Sequence, residues 1–239
     1  MFVKKGWLTL AALLALAGGK AQTQDTVAAA PAEFRAAWIA TVDNIDWPDR
    51  GTTDPEAQKA QYLKILDMHV RNGLNAVIVQ IRPAADAFYP SPYEPWSEWL
   101  TGRQGRAPVP YYDPLQFMIA AAHERKLEFH AWLNPYRAVF NLGKTITAHD
   151  HITREHPEWF LNYGDKKYFD PGNKEAQQFV VKVVRDVVKR YDLDGVHFDD
   201  YFYPYRIAGK VSPTENLRQY GADEPDDWRR SNTDSIIVL

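Results

Sequence analysis

The segment Leu127-Glu128-Phe129-His130-Ala131-Trp132-Leu133-Asn134 decides how this chain is read. Successive side chains of a β-strand face opposite sides. Leu127, Phe129, Ala131 and Leu133 therefore form one apolar face, and His130, Trp132 and Asn134 fall on the other. A strand that is greasy on one side and polar or aromatic on the other fits a (β/α)-barrel. There the outer face packs on helices and the C-terminal ends of the strands build the active site.

The same unit recurs along the chain as an apolar run, a loop, an Asp-Pro pair and a helical stretch. The runs are Phe34 to Thr41, Asn75 to Ile81, Leu127 to Leu133 and Asp194 to Asp199. Helices are expected to open at Asp54-Pro55, Asp113-Pro114 and Asp170-Pro171, where Asp can accept from an orphan N–H and Pro has none to waste. Tyr62, Leu63, Leu66 and Val70 mark the buried face of the first helix, closed by Asn72-Gly73. Val180, Val183, Val184, Val187 and Val188 mark that of the third. The segment from Leu142 to Phe169 predicts a short helix over Thr153 to Trp159 and a hairpin turning at Gly164-Asp165. A helix is expected over Asp227 to Leu239. Strands alternating with helices imply a parallel sheet. An open doubly wound sheet fits the order too, but no Gly-rich phosphate loop follows the first run.

Parity also places the polar groups. Val77, Val79 and Ile81 face the helices, leaving Gln80 and Arg82 inside; Val196 and Phe198 do the same, leaving His197 and Asp199 inside. In the first run either Trp38 or Thr41 with Asp43 faces in. Three strands thus aim Arg82, His130, Trp132, Asn134, His197 and Asp199 at one mouth, with Arg82 expected beside Asp199. Such a cluster is costly unless its members pair or meet a polar ligand. A structural Arg82–Asp199 ion pair is one reading, and a polar substrate site is the other.

The first 21 residues read as a signal peptide. Lys4 and Lys5 precede the apolar run Trp7 to Ala17, and Gly19 and Ala21 offer a small-residue cleavage site. Residues 22 to 32 read as a flexible tether, and 33 to 239 as the barrel domain. An exported, periplasmic or extracellular protein with no stable membrane anchor after cleavage is expected. The absence of cysteine excludes disulfides, lipid attachment and thiol chemistry. Without Lys4, Lys5 and Lys20 the net charge moves from −3 to −6, and no basic run speaks for nucleic acid. Aromatic residues reach 13% and many lie in turn-rich stretches, which suits stacking on sugar rings as well as ordinary packing.

Several segments resemble glycosyl-hydrolase-like family 10. They are Phe34-Arg35-Ala36-Ala37-Trp38, Gln80 to Tyr89, His130-Ala131-Trp132-Leu133-Asn134-Pro135-Tyr136-Arg137, His156-Pro157-Glu158-Trp159, Tyr168 to Gly172, and Asp194 to Pro204. The resemblance implies the N-terminal portion, about four βα units, of a (β/α)8 TIM-type barrel acting on polysaccharide, with bacterial cell-wall glycan among its substrates. Asp194-Gly195-Val196-His197-Phe198-Asp199 is also similar to the fourth-strand motif of the α-amylase family, whose last Asp is the glycosyl nucleophile. That similarity implies the nucleophile or base at Asp199, the residue that strand parity also points inward.

Substrate-binding candidates are Arg82, His130, Trp132, Asn134, Tyr136, Arg137, His197, Asp200, Tyr201 and Tyr203. Asp43, Asp46, Asp86 and Glu94 lie on loops at the correct end, but none is singled out as the acid; related barrels carry it on a fifth strand, and the sequence reads as stopping short of one. No cofactor or metal is expected. Two alternatives stand: a non-catalytic carbohydrate-binding fragment, and a metal-dependent deacetylase or amidohydrolase using the spacing His149-Asp150-His151.

Overall fold

A computed structural model describes residues 33–199, 203, 207–210 and 225–238. The signal peptide, the tether, Asp200, Tyr201 and most of the loop from Arg206 to Asp226 lie outside the described residues. Among the described residues no helix is long and apolar enough to cross a membrane.

All four expected strands form, as β1 (Ala36–Ile39), β2 (Ala76–Arg82), β3 (Glu128–Leu133) and β7 (Gly195–Phe198). They pair in parallel in the order β1-β2-β3-β7, with Ala37 beside Val77, Val77 beside Phe129 and Ala131 beside Val196. Successive strands are therefore spatial neighbours joined by helical crossovers, as in a (β/α)-barrel. The crossovers are α1 (Pro55–Arg71), α3 (Pro114–Glu124) and α5 (Lys174–Arg190). One short helix, α2 (Glu98–Thr101), interrupts the segment after β2.

Two of the three helix starts are where Asp-Pro predicts them. Asp54 accepts from the Ala57 N–H at 2.8 Å, and Asp113 from the Gln116 N–H at 3.1 Å. The third is corrected. Asp170 spends its carboxylate on the Gly172 N–H inside a turn, and Asn173 caps α5 by accepting from Glu175 and Ala176. On α1 the expected face is also rotated: Gln58, Tyr62, Leu66 and His69 are buried, whereas Val70 is exposed. On α5, Val180, Val183 and Val187 are fully buried and Val188 is half exposed.

The principal core lies between sheet and helices. Val77, Val79, Ile81, Phe129, Ala131 and Leu133 meet Tyr62, Leu66, Leu115, Met118 and Val187 there, so strand parity holds for β2 and β3. Each such side chain contributes roughly 1.5–3 kcal/mol on burial. Val196, expected to face helices, is 37% exposed because no described helix covers that flank of β7; Phe198 does pack on the core.

The segment after β3 is more ordered than its sequence suggests. It forms a second, antiparallel sheet in the order β4-β6-β5 from β4 (Arg137–Val139), β5 (Phe160–Tyr163) and β6 (Lys166–Phe169). The hairpin turns at Gly164-Asp165 as expected, with Gly164 at positive φ. The expected helix from Thr153 to Trp159 is split into α4 (Ile152–Glu155) and a 3-10 turn (Pro157–Trp159), because Pro157 excludes the α conformation at His156. The last helix, α6 (Pro225–Val238), places Ile236 in a second core with Ala176, Val180, Tyr136, Trp159 and Phe169.

Candidate active site

The inner face of the sheet is built in layers along the strands. At the C-terminal rim, Asp199 follows β7 and Asn134 follows β3. The Asn134 amide donates to both carboxylate oxygens, at 2.8 and 2.9 Å. Asn134 is itself immobilised. Its Oδ1 accepts from the N–H groups of Tyr136 (3.2 Å) and Arg137 (2.6 Å), and its own N–H donates to the carbonyl of Arg82. Two backbone donors on Oδ1 fix which end of the amide faces Asp199. Both oxygens of Asp199 act as acceptors toward the one amide.

Arg82 does not pair with Asp199. Its guanidinium grips Glu94 twelve residues on, with Nε at 2.8 and 3.0 Å from the two oxygens and Nη2 at 2.5 Å from Oε1. Nη1 donates to the carbonyl of Asn134, and the group lies 5.7 Å from the centre of the Phe169 ring. Both side chains are fully buried. Burial raises the Glu94 carboxyl above its ordinary range, opposed by the charge and hydrogen bonds of Arg82. The expected ion pair thus exists with a different acid, because the loop after β2 folds Glu94 back over the strand end.

Below the rim lies an aromatic layer. Trp132 meets Trp38 edge-on at 4.8 Å between ring centres, and Trp38 meets His197 likewise at 5.5 Å. The first run is thereby resolved: Trp38 faces in, while Thr41 is buried and donates to the Gln80 carbonyl at 2.8 Å. The Gln80 side chain accepts from the N–H groups of Thr41 and Val42. Deeper still, His130 contacts His197 at 2.8 Å and Glu128 at 3.1 Å. The histidines therefore share the predicted face, but they sit beneath the mouth and bond to each other.

Other candidates scatter. Tyr136 is fully buried in the second core, and burial raises its phenol well above the ordinary range. Arg137 is buried and donates to the Pro83 carbonyl at 3.2 Å. Tyr203 accepts from Asn232 at 3.4 Å on α6, with Arg229 over its ring. Of the four loop carboxylates, Asp43 binds Arg50 at 2.8 Å and Asp46 accepts from the Ala40 N–H. Asp86 is fully buried, accepts from the Ala84 N–H and from Gln104, and is pushed up to about 7, chiefly by burial. Sequence reasoning names Glu94 only among the loop carboxylates and leaves Trp38 as one of two options; it passes over Glu128, although the parity of β3 sets that residue on the face of His130 and Trp132.

The His149-Asp150-His151 spacing does not make a metal centre. His151 is buried, caps α4 through Thr153, and is held down to about 4 mainly by burial. Among the described residues no group of three His, Cys, Asp or Glu side chains could hold a metal ion.

Comparison with known proteins agrees with this architecture. Residues 33–239 match the model of the family described as Glycosyl hydrolase-like 10. The chain is 53% identical over 212 residues to "Glycosyl hydrolase YngK" of Bacillus subtilis (strain 168), covering 86% of this chain and 41% of that protein. It is 37% identical over 223 residues to "Glycosyl hydrolase DigH" of Escherichia coli (strain K12), covering 86% and 50%. The chain thus spans half or less of the length of these relatives. Among solved structures, it is similar in fold to a hypothetical protein from Ruminiclostridium thermocellum ATCC 27405 (TM-score 0.53, 13% identity, 83% of this chain and 90% of that one). It is similar also to α-L-fucosidase isoenzyme 2 from Paenibacillus thiaminolyticus (TM-score 0.52, 17% identity, 84% and 28%). These likenesses concern fold, and the family match, which spans all of the described residues, decides kinship: the chain belongs to the glycosyl hydrolase-like 10 family.

Proposed function

We infer that the chain is part of an exported glycoside hydrolase acting on polysaccharide, with bacterial cell-wall glycan as the first substrate to test. Asp199 serves as nucleophile or base. The observation that carries this reading is the Asn134 amide clamping Asp199 at a strand's C-terminal end, with no cation bonded to the carboxylate among the described residues.

Hydrolysis of a glycosidic bond needs one carboxyl that donates a proton to the leaving oxygen and one that stays ionised. The ionised group attacks the anomeric carbon or takes a proton from the attacking water. Asp199 suits the second role: its oxygens are oriented by a neutral donor and, among the described residues, meet no cation. Trp132 and Trp38 offer apolar ring faces for the C–H face of a sugar, and His197 a polar edge. The names of the curated relatives and the family kinship support hydrolysis over binding alone. None of Asp43, Asp46, Asp86 and Glu94 is assigned as the proton donor, since each is held by the partners described above.

The test is a digest of purified glycan strands, scored by mass spectrometry for new reducing ends. Wild type is expected to release fragments and Asp199→Asn none. Equal products from both would remove Asp199 from the mechanism, and tight glycan binding without products from wild type would favour a carbohydrate-binding protein.

A further inference from the structure

Glu128, His130 and His197 form a chain of titratable groups on the lower inner face, distinct from the Asn134–Asp199 contact. The Glu128 carboxylate meets His130 Nε2 at 3.1 Å, and His130 Nδ1 meets His197 Nε2 at 2.8 Å. Glu128 is exposed at the start of β3, whereas the His130 side chain is only 13% exposed. Gly195 makes the arrangement possible. A Cβ at that position would overlap His130 Nδ1 and stand 2.8 Å from its Cε1, so the ring lies across β7 only because residue 195 has no side chain.

Hydrogen counting fixes the states of this chain. A carboxylate can only accept, so His130 Nε2 carries a hydrogen. The contact between the rings holds one hydrogen, so one ring nitrogen donates and the other accepts. When the pair is uncharged, His130 has spent its single hydrogen on Glu128. Its Nδ1 then accepts from His197 Nε2, and His197 Nδ1 is a bare acceptor. When one proton is added at His197 Nδ1, the shared hydrogen passes from His197 Nε2 to His130 Nδ1. The positive charge then resides on His130 against Glu128, and His197 is neutral with Nδ1 now a donor.

We propose that Glu128 and His130 act as positioning residues that invert the hydrogen-bonding character of His197 Nδ1, from acceptor to donor, as the pair takes up one proton. His197 lies on the same face of β7 as Asp199, two residues before it, roughly 6–7 Å along the strand. The groups facing the pair favour charge on His130. Glu128 touches it and Asp194 acts on it electrostatically from the start of β7, while Phe34 contributes only a ring. His197 is met by Trp38 and His130, and its pKa is lowered by burial and by the His130 charge. From β2 the one charged group, Arg82, is bonded to Glu94. For a bound glycan the consequence rests on the hydrolase reading: the site would accept from sugar hydroxyls at high pH and donate to oxygen acceptors at low pH.

The experiment is a titration of the full chain, labelled with 15N-histidine and without substrate, between about pH 8 and 5 by long-range 1H–15N spectra. His197 Nδ1 is expected to change from bare to protonated while its Nε2 changes the other way. In Glu128→Gln, an exposed substitution that leaves the core untouched, the midpoint should fall by about one unit. A His197 ring that keeps its hydrogen on Nε2 throughout, or a midpoint unmoved in Glu128→Gln, overturns the proposal. Because nothing is turned over, the result stands apart from whether Asp199 hydrolyses anything.

Discussion

Two acidic side chains sit at strand ends on either side of β3 and meet opposite fates. Glu94 is fully buried and held by several hydrogen bonds from a guanidinium, so its charge is cancelled where it stands. Asp199 is only partly buried and, among the described residues, bonds the neutral amide of Asn134 and no cation, so its charge is oriented but not cancelled there. A buried ion pair gains little net stability from its formation, yet it is expensive to break. An oriented, uncompensated carboxylate contributes little to the fold and is free to act on a substrate. Partner chemistry separates the structural acid from the candidate catalytic one; proximity to the mouth does not.

The largest expected effect tests the second half of that contrast. Asp199→Asn should lower glycan cleavage by on the order of 10³-fold while the thermal midpoint moves little. A variant that unfolds instead would show that Asp199, like Glu94, is structural. The next effect tests the first half. Arg82→Met removes the guanidinium and leaves Glu94 buried without its cation, and should cost about 3–5 kcal/mol in denaturant unfolding. The double variant Arg82→Met with Glu94→Gln should recover part of that loss. If Arg82→Met instead leaves stability unchanged and lowers only activity, the pair belongs to the site after all.

The contrast also marks how far the sequence could be read. Parity in Leu127 to Asn134 correctly separates Phe129 and Ala131 in the core from His130 and Trp132 on the inner face, because a strand has one short period and two faces. Parity does not report depth along the barrel axis: it points His130 and His197 to the mouth, whereas they bond to each other beneath it. Nor does it say what a loop lays over a strand end. Glu94 reaches Arg82 through the turn Tyr89-Pro90-Ser91-Pro92-Tyr93, a conformation set by tertiary packing with no strand period to betray it. The misplaced start of α5 has a local cause: Asp170-Pro171 and Asn173 both offer caps, and the turn at Gly172 takes up the first.

Asp86 offers a smaller effect and a third kind of acid, buried with neutral partners. Its folded pKa is raised to about 7 from an ordinary 3.8, mainly by burial. Folding therefore favours the protonated form. The stability this contributes is full below about pH 4 and is lost as pH rises through 7. Asp86→Asn keeps the shape and cannot ionise, so the variant should gain on wild type between pH 4 and 8, by on the order of 2–4 kcal/mol. Unfolding midpoints collected across that range decide it. Parallel curves for the two proteins would mean that Asp86 carries no buried charge at neutral pH.

The subtlest variant acts on the clamp itself. Asn134 meets two demands at once: its oxygen accepts from the Tyr136 and Arg137 N–H groups, and its nitrogen donates to Asp199. Asn134→Asp preserves the first and reverses the second, setting two carboxyls where an amide met a carboxylate. Like charges at that separation cannot both ionise easily, so the acid limb of the activity profile should move up by about one pH unit. The fold should survive, since the backbone acceptor is retained. If the limb does not move while activity persists, the ionised group that governs catalysis is not the one Asn134 holds, and the contrast between Glu94 and Asp199 loses its functional half.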